Sequence, residues 1–456
     1  MSGASPPSTT RVLRLAASAL VVLIAEPLYL LEDLAVVGRL GATPLAALGL
    51  GTLMLAVVST QLTFLSYGTT ARAARWFGQG DRRAAVAEGV AASWLALVVG
   101  SIIVVIIWLV APTVTTALAS DPAVADDATG WLRIAVVGVP LILLSMAGNG
   151  WMRGVQDTRR PIAYVVAGLG TGAVLCPALV FGWGPAPQLG LHGSAVANLV
   201  GQSITGALFA WRLNVEVRAS GGGSTRHRPD LGVIRAQLVL ARDLIARSLA
   251  FQVCFVSAAA VAARFGVAAL AAHQVVLQLW NFLALTLDAL AIAAQSLVGA
   301  ALGASAPGVA RFVARRVTAL SVGLAVVLMA VLTVGREPLQ RIFTSDRGVL
   351  DVIDTPWTFL VLMVPIAGVV FALDGVLLGS GDAPYLRTTT LLSAVVGFLP
   401  AIWLSLVFDW GLAGIWTGLC LFMVLRSGAL LARMASGRWT ETALAAVPRD
   451  RREPAE

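Results

Sequence analysis

The sequence predicts an all-α polytopic membrane protein of about twelve transmembrane helices, in two six-helix lobes related by a parallel internal repeat. Three observations predict it. First, 58% of the residues are hydrophobic and only 12% are charged, against roughly 45–50% and ~25% in a soluble globular chain. So few charges cannot cover the surface of a soluble protein of 456 residues. Second, the apolar runs are continuous and about 20 residues long, the length a helix needs to span a bilayer. A membrane barrel would show short alternating segments instead, and lipid accepts only helices or closed barrels. Third, the two halves of the chain align at a single offset.

Taken in order, the runs fall near 14–37, 45–70, 86–110, 129–149, 161–182, 190–212, 243–264, 268–299, 311–334, 354–378, 385–407 and 411–434. They define a tail (1–13), an N-lobe (14–212), a linker (213–242), a C-lobe (243–434) and a second tail (435–456). The first ten residues carry no charged side chain, and the first run is long and contains Glu26 and Asp33, so it reads as a retained span and not a cleaved signal. The linker carries the segment GGGS at 221–224. The net charge is +8, and every basic residue is Arg. Arg72, Arg75, Arg82 and Arg83, then Arg153, Arg159 and Arg160, then the linker arginines, then Arg311, Arg315 and Arg316, all fall on one side of a twelve-span chain. Asp121, Asp126, Asp127 and Asp409 fall on the other. The positive-inside rule then places both termini in the cytoplasm. It also explains the basic balance without nucleic acid.

The halves align without gaps in three separated regions, all at the offset that carries position 37 onto position 262. VGRLGATPLAAL (37–48) meets AARFGVAALAAH (262–273), WFGQG (76–80) meets ALGAS (301–305), and the stretch 139–157 meets 364–382. Pro140 pairs with Pro365, Gly150 with Gly375, Gly154 with Gly379, and Asp157 with Asp382. Six spans per half is an even number, so both halves enter from the same side. Such duplication is characteristic of transporters that hold substrate between two bundles.

The polar residues inside the spans carry the functional reading, because a carboxylate in mid-membrane costs several kcal/mol. Glu26, Tyr29 and Asp33 stand at i, i+3 and i+7 on one face of the first span. An acid without a basic partner there can exchange a proton, as cation coupling requires. In the eighth span, Gln274, Gln278, Asn281, Asp288 and Gln295 keep to a stripe about 100° wide. Two readings stand: an interhelical hydrogen-bond seam, or the lining of a wet cavity. Asp374, whose repeat mate is Asn149, lies close to the turn at 379–382 and reads as gating or structural. Cys176, Cys254 and Cys420 lack metal-ligand spacing and read as small core residues, and the three His are scattered, so no metal site is expected.

The stretches PLYLLEDLAVVGRLG (27–41), WFGQGD (76–81), GVQDTRRPI (154–162), ARDLIARSL (241–249), 271–299 and LDGVLLGSGDAP (373–384) resemble the multidrug and toxic compound extrusion (MATE) family, DinF-like branch. The resemblance runs from about residue 12 to residue 435. It implies a V-shaped pair of lobes and cation-coupled efflux of organic compounds, with Asp33 as the coupling carboxylate and Asp288 as a recurrent eighth-helix acid. The sequence departs from the family at the fifth span, which often supplies an Asn and an Asp. Here that stretch offers Gly172 and Cys176, leaving a thinner network that Glu26 supplements. The expected protein is therefore a secondary antiporter of the plasma or inner membrane and not an enzyme. Its coupling ion is H⁺, with Na⁺ as the alternative. Asp33 and Glu26 are the coupling acids, and Tyr29, Gln278, Asn281 and Asp288 line the substrate cavity. The expected partners are a small organic substrate and membrane lipid, with no organic cofactor, and the chain is expected to act as a monomer. The competing function is a lipid-linked or polysaccharide flippase of the same superfamily, which would want more cationic residues in mid-span.

Overall fold

The structure, a computed structural model, describes residues 6–220 and 230–445. Every regular element among the described residues is helical. They run α1 (Thr9–Val37), α2 (Ala42–Gln61), α3 (Phe64–Gly78), α4 (Arg82–Leu118), α5 (Pro122–Ala135), α6 (Val139–Gly154), α7 (Arg159–Phe181) and α8 (Leu191–Ala219) in the first half. The second half holds α9 (Leu231–Arg264), α10 (Val267–Gly303), α11 (Pro307–Val334), α12 (Arg336–Phe343), α13 (Arg347–Ser380), α14 (Ala383–Ser393), α15 (Leu399–Val407), α16 (Gly411–Ala435) and α17 (Arg438–Ala445). Helix α8 continues to Ala219 and α9 opens at Leu231, so helix extends well into the segment 213–242. GGGS at 221–224 lies outside the described residues. The segment after 434 is not all tail either: α17 packs back through buried Trp439.

Among the described residues, nine helices or helix pairs are long and apolar enough to cross a membrane. The remaining three expected spans correspond to α1, α2–α3 and α8. Acids stand inside the first of them (Glu26, Glu32 and Asp33), and Arg212, Glu216 and Arg218 stand toward the end of α8. The surface is that of a membrane protein: Leu109, Val174 and Leu362 are among the large apolar side chains left exposed, while Asp33, Glu88 and Arg426 are buried.

The chain divides into two compact units. Val21–Ala241 form the amino unit, and Met1–Leu20 with Arg242–Glu456 form the carboxy unit. In the amino unit α6 packs on α3 and α4, and α7 on α8; in the carboxy unit α13 packs on α10 and α11. The repeat is visible in the helix starts. Ala42, Arg82 and Pro122 open helices, and their repeat mates Val267, Pro307 and Arg347 open helices too. It is visible in the turns as well. Positive φ recurs at Gly41 and Gly266 (121° and 105°), Gly80 and Ser305 (74° and 55°), Gln156 and Gly381 (62° and 77°), and Gly184 and Asp409 (62° and 54°). Left-handed backbone is disfavoured for a residue with a Cβ. Its retention at Ser305, Gln156 and Asp409 marks these turns as inherited geometry.

The paired glycines make equivalent contacts. A Cβ at Gly150 would meet the Ser66 carbonyl oxygen, and one at Gly375 would meet the carbonyl oxygen of Ala291, the repeat mate of Ser66. One at Gly379 would come within 2.6 Å of the Gln295 oxygen. Small residues allow such close helix approach in lipid, where packing supplies much of the association. Gly375→Val is therefore expected to separate α10 from α13 and to lower the thermal midpoint in detergent, the overpacking costing about 1–3 kcal/mol or more. An unchanged midpoint would contradict this contact.

The halves differ at one place that matters below. Helix α10 is continuous, whereas its counterpart breaks at Leu62–Thr63 into α2 and α3. There the amides of Leu65 and Ser66 bond three residues back, to the Leu62 and Thr63 carbonyls, tightening the turn.

Candidate functional site

The face of α1 that carries Glu26, Tyr29 and Asp33 points into the amino unit. Asp33 is 1% exposed. Its Oδ1 accepts a hydrogen bond from the Cys176 thiol at 3.3 Å, and the Ser194 hydroxyl lies within reach of the same carboxylate. The Trp131 indole donates to Ser194 Oγ at 3.1 Å, leaving the hydroxyl proton free to face Asp33. The second oxygen of Asp33, Oδ2, is buried without a hydrogen-bond partner. Cys176 is thus more than a small core residue: it is the thiol donor to the buried acid. Gly172, one turn earlier on α7, makes room for the Tyr29 ring, since a Cβ there would come within 3.2 Å of it. Tyr29 is buried, and its hydroxyl has no partner.

Glu26 differs from Asp33 in access. It is exposed to an open cavity of about 190 Å³ enclosed by α1, α3, α6, α7 and α8. The Gln202 side chain of α8 lies beside it. The cavity wall also includes Asn149 and Arg153 of α6 and Ser66 and Tyr67 of α3. Tyr67 sits one turn beyond the Leu62–Thr63 break, so the interruption that distinguishes α2–α3 from α10 borders this cavity. Asn149 Oδ1 is buried in this wall without a partner. Arg153, grouped by sequence with the loop arginines, is in fact buried in this wall.

The carboxy unit treats its acids differently. Asp374 is buried between two guanidinium groups. Arg247 Nη2 donates to its Oδ2 at 2.5 Å, and Arg426 Nη2 reaches both carboxylate oxygens, at 2.9 and 2.8 Å. Arg426 is 1% exposed and lies 4.7 Å above the Phe251 ring. At the equivalent repeat position Asn149 faces the cavity while Asp374 is locked in an ion-pair cluster, so the two halves have diverged in role. The α10 stripe divides along its length. Gln274, Gln278 and Asn281 are exposed, Asp288 is half-buried, and Gln295 is buried where α10 meets Gly379 of α13. The stripe is therefore not one uniform surface.

The structure thus gathers Glu26, Tyr29, Asp33 and Asn149 in the amino unit, while Gln278, Asn281, Asp288 and Asp374 belong to the other. Sequence reasoning passes over Gln202, Ser194, Glu32, Arg247 and Arg426. Of these, Arg426 carries a signal, since it interrupts the apolar run 411–434. No group of His, Cys, Asp and Glu able to hold a metal ion occurs among the described residues.

Comparison with known proteins agrees with this architecture. The family model described as MatE matches the chain twice, over residues 18–178 and 244–403. The spacing between the two matches is closely that of the internal repeat. "Protein DETOXIFICATION 44, chloroplastic" of Arabidopsis thaliana is 31% identical over 94% of this chain and 83% of its own length. "DNA damage-inducible protein F" of Escherichia coli is 27% identical over 90% and 88%. Among solved structures, "Crystal structure of MATE in the bent conformation" superposes with a TM-score of 0.84 at 21% identity, covering 95% of this chain and 96% of that one.

Proposed function

The chain belongs to the MatE family, the multidrug and toxic compound extrusion transporters, and we propose that it exports organic compounds in exchange for protons. It is a multi-pass membrane transporter and not an enzyme. The observation that carries the proton reading is the setting of Asp33. A hard cation gathers several oxygen ligands, and a thiol is a soft one. The partners of Asp33 are a thiol and a hydroxyl, each a donor of one hydrogen bond. Such a shell suits a carboxyl group that alternates between proton-bound and proton-free forms better than one that coordinates Na⁺.

In this reading the substrate enters the cavity lined by Glu26, Gln202, Asn149 and Arg153, with Glu26 favouring a cationic or strongly polarised group. A proton taken up at Asp33, two helical turns further along the same face of α1, shifts which arrangement of the transporter is favoured. Such a shift requires proton and substrate to differ in affinity between the arrangements. Tyr29 lies between the two acids and links their packing. Within the carboxy unit itself, Gln278, Asn281 and Asp288 of α10 are the side chains offered to substrate. The transporter acts as a monomer in the plasma or inner membrane with both termini cytoplasmic, an orientation supported by the Arg bias of its loops. The flippase reading gains nothing from the buried arginines of the carboxy unit, because Arg247 and Arg426 are both engaged by Asp374.

The reading is tested in proteoliposomes loaded with a fluorescent organic cation. Transport is expected to follow an imposed pH gradient in Na⁺-free medium and to collapse with an uncoupler. Transport that needs a Na⁺ gradient and ignores the pH gradient would overturn the proton assignment.

A further inference from the structure

At the Arg-rich ends of α3, α4, α6, α7 and α8 the amino unit holds a second cavity, of about 400 Å³, that shares no lining residue with the cavity at Glu26. Its charged wall consists of Arg82, Arg160, Arg212, Glu216 and Asp157. Glu216 is buried and pairs with both Arg82 and Arg212. Arg160 Nη1 donates to Asp157 Oδ2 at 2.7 Å. Both carboxylates are therefore already answered, and three guanidinium groups against two acids leave the cavity positive.

The hydrogen bonds of the wall point the same way. Two of its buried polar side-chain atoms have no partner, the indole Nε1 of Trp151 and Nε of Arg212. Both are N–H donors, and Trp151 is only 3% exposed. A buried donor without an acceptor costs about 1–3 kcal/mol, and each such group in a native fold calls for an explanation, such as a ligand. The missing group must be an acceptor, and the charge of the wall asks for an anion. Guanidinium groups favour carboxylate and phosphate oxygens, which take paired N–H donors. Phe77, Val86 and Met152 complete the wall with apolar surface, which fits an anion attached to a hydrocarbon body and lying at the membrane boundary.

We propose that this cavity is a binding site for a phosphate group, carried by a phospholipid headgroup or free in solution, separate from the transport path. Trp151 Nε1 and Arg212 Nε donate to its oxygens, while Arg82 and Arg160 at the mouth offset its charge.

The test uses the purified full-length protein in an uncharged maltoside detergent. Thermal midpoints are measured against inorganic phosphate, a short-chain phosphatidylglycerol and the diacylglycerol with the same chains, for the parent, Trp151→Phe and Arg160→Gln. Saturable stabilisation by phosphatidylglycerol, absent with diacylglycerol, is expected. Trp151→Phe keeps an aromatic ring and removes the N–H, and should weaken that binding by roughly tenfold or more while leaving the ligand-free midpoint as high as the parent's. Arg160→Gln, on the exposed rim, should weaken it as well and carries the test if Trp151→Phe does not fold. Stabilisation by inorganic phosphate alone would support the site and assign it to a free phosphate; a response to the lipid only would assign it to a headgroup. If none of the three compounds shifts the midpoint, or if both variants respond as the parent does, the cavity is merely hydrated and the proposal fails.

Discussion

Replacement of Asp33 by Asn is expected to reduce proton-coupled export to the level of protein-free vesicles while leaving the protein folded and able to bind substrate. Asn nearly matches Asp in shape, and its amide oxygen can still accept from the Cys176 thiol, so the packing around α1 is kept. Asn cannot take up or release a proton, so the alternation that links transport to the pH gradient has no carrier. The cavity proposed for substrate is lined by Glu26, Asn149, Gln202 and Arg153 and not by Asp33, so equilibrium binding should persist. The measurement is substrate-induced proton release from vesicles, beside a binding titration on the same preparation. Undiminished proton release would remove Asp33 from its role. Loss of binding together with loss of transport would show instead that the buried acid holds the cavity in shape.

The contrast between what the sequence discloses and what it conceals follows from the range of the interactions involved. The duplicated fold is legible because one offset organises many local features: the turn glycines Gly41 and Gly266, the crossing glycines Gly150 and Gly375, and the helix starts. Helix periodicity likewise places Glu26, Tyr29 and Asp33 on one face. The partner of Asp33 is legible only through the family resemblance, which places Gly172 and Cys176 of the fifth span in the network of the first-helix acid; by spacing alone Cys176, 143 positions away, looks like any small apolar residue in a span. Arg153 is hidden for a related reason: a basic residue near a helix end reads as interfacial until neighbouring helices close a cavity around it. The α10 stripe marks the limit of periodicity. Its angular spread is legible in the sequence, but exposure changes along its length: Gln295 is buried where the backbone of α10 packs on Gly379 of α13, while Gln274, Gln278 and Asn281 stay exposed.

The second large effect is expected at Asp374. Asp374→Asn removes the carboxylate that holds Arg426, a side chain 1% exposed with its guanidinium packed over the Phe251 ring. Arg247 and Arg426 would then face each other without that countercharge. Breaking a buried ion pair by removing one partner costs on the order of 3–5 kcal/mol, because the remaining charge stays desolvated. The variant should show a clearly lower thermal midpoint in detergent and a lower yield. The paired variant, Asp374→Asn with Arg426→Gln, replaces the charges with two amides able to hydrogen-bond and leaves Arg247 nearer the surface. It should recover most of the lost stability, because a buried ion pair exchanged for neutral groups is often close to neutral in energy. Transport separates the two roles considered for this residue. If the paired variant regains both stability and export, Asp374 is a structural clamp on α9, α13 and α16. If it regains stability but not export, the charge itself takes part in gating. A single variant as stable as the parent would mean that the cluster contributes nothing to the fold, contrary to its burial and its bonds.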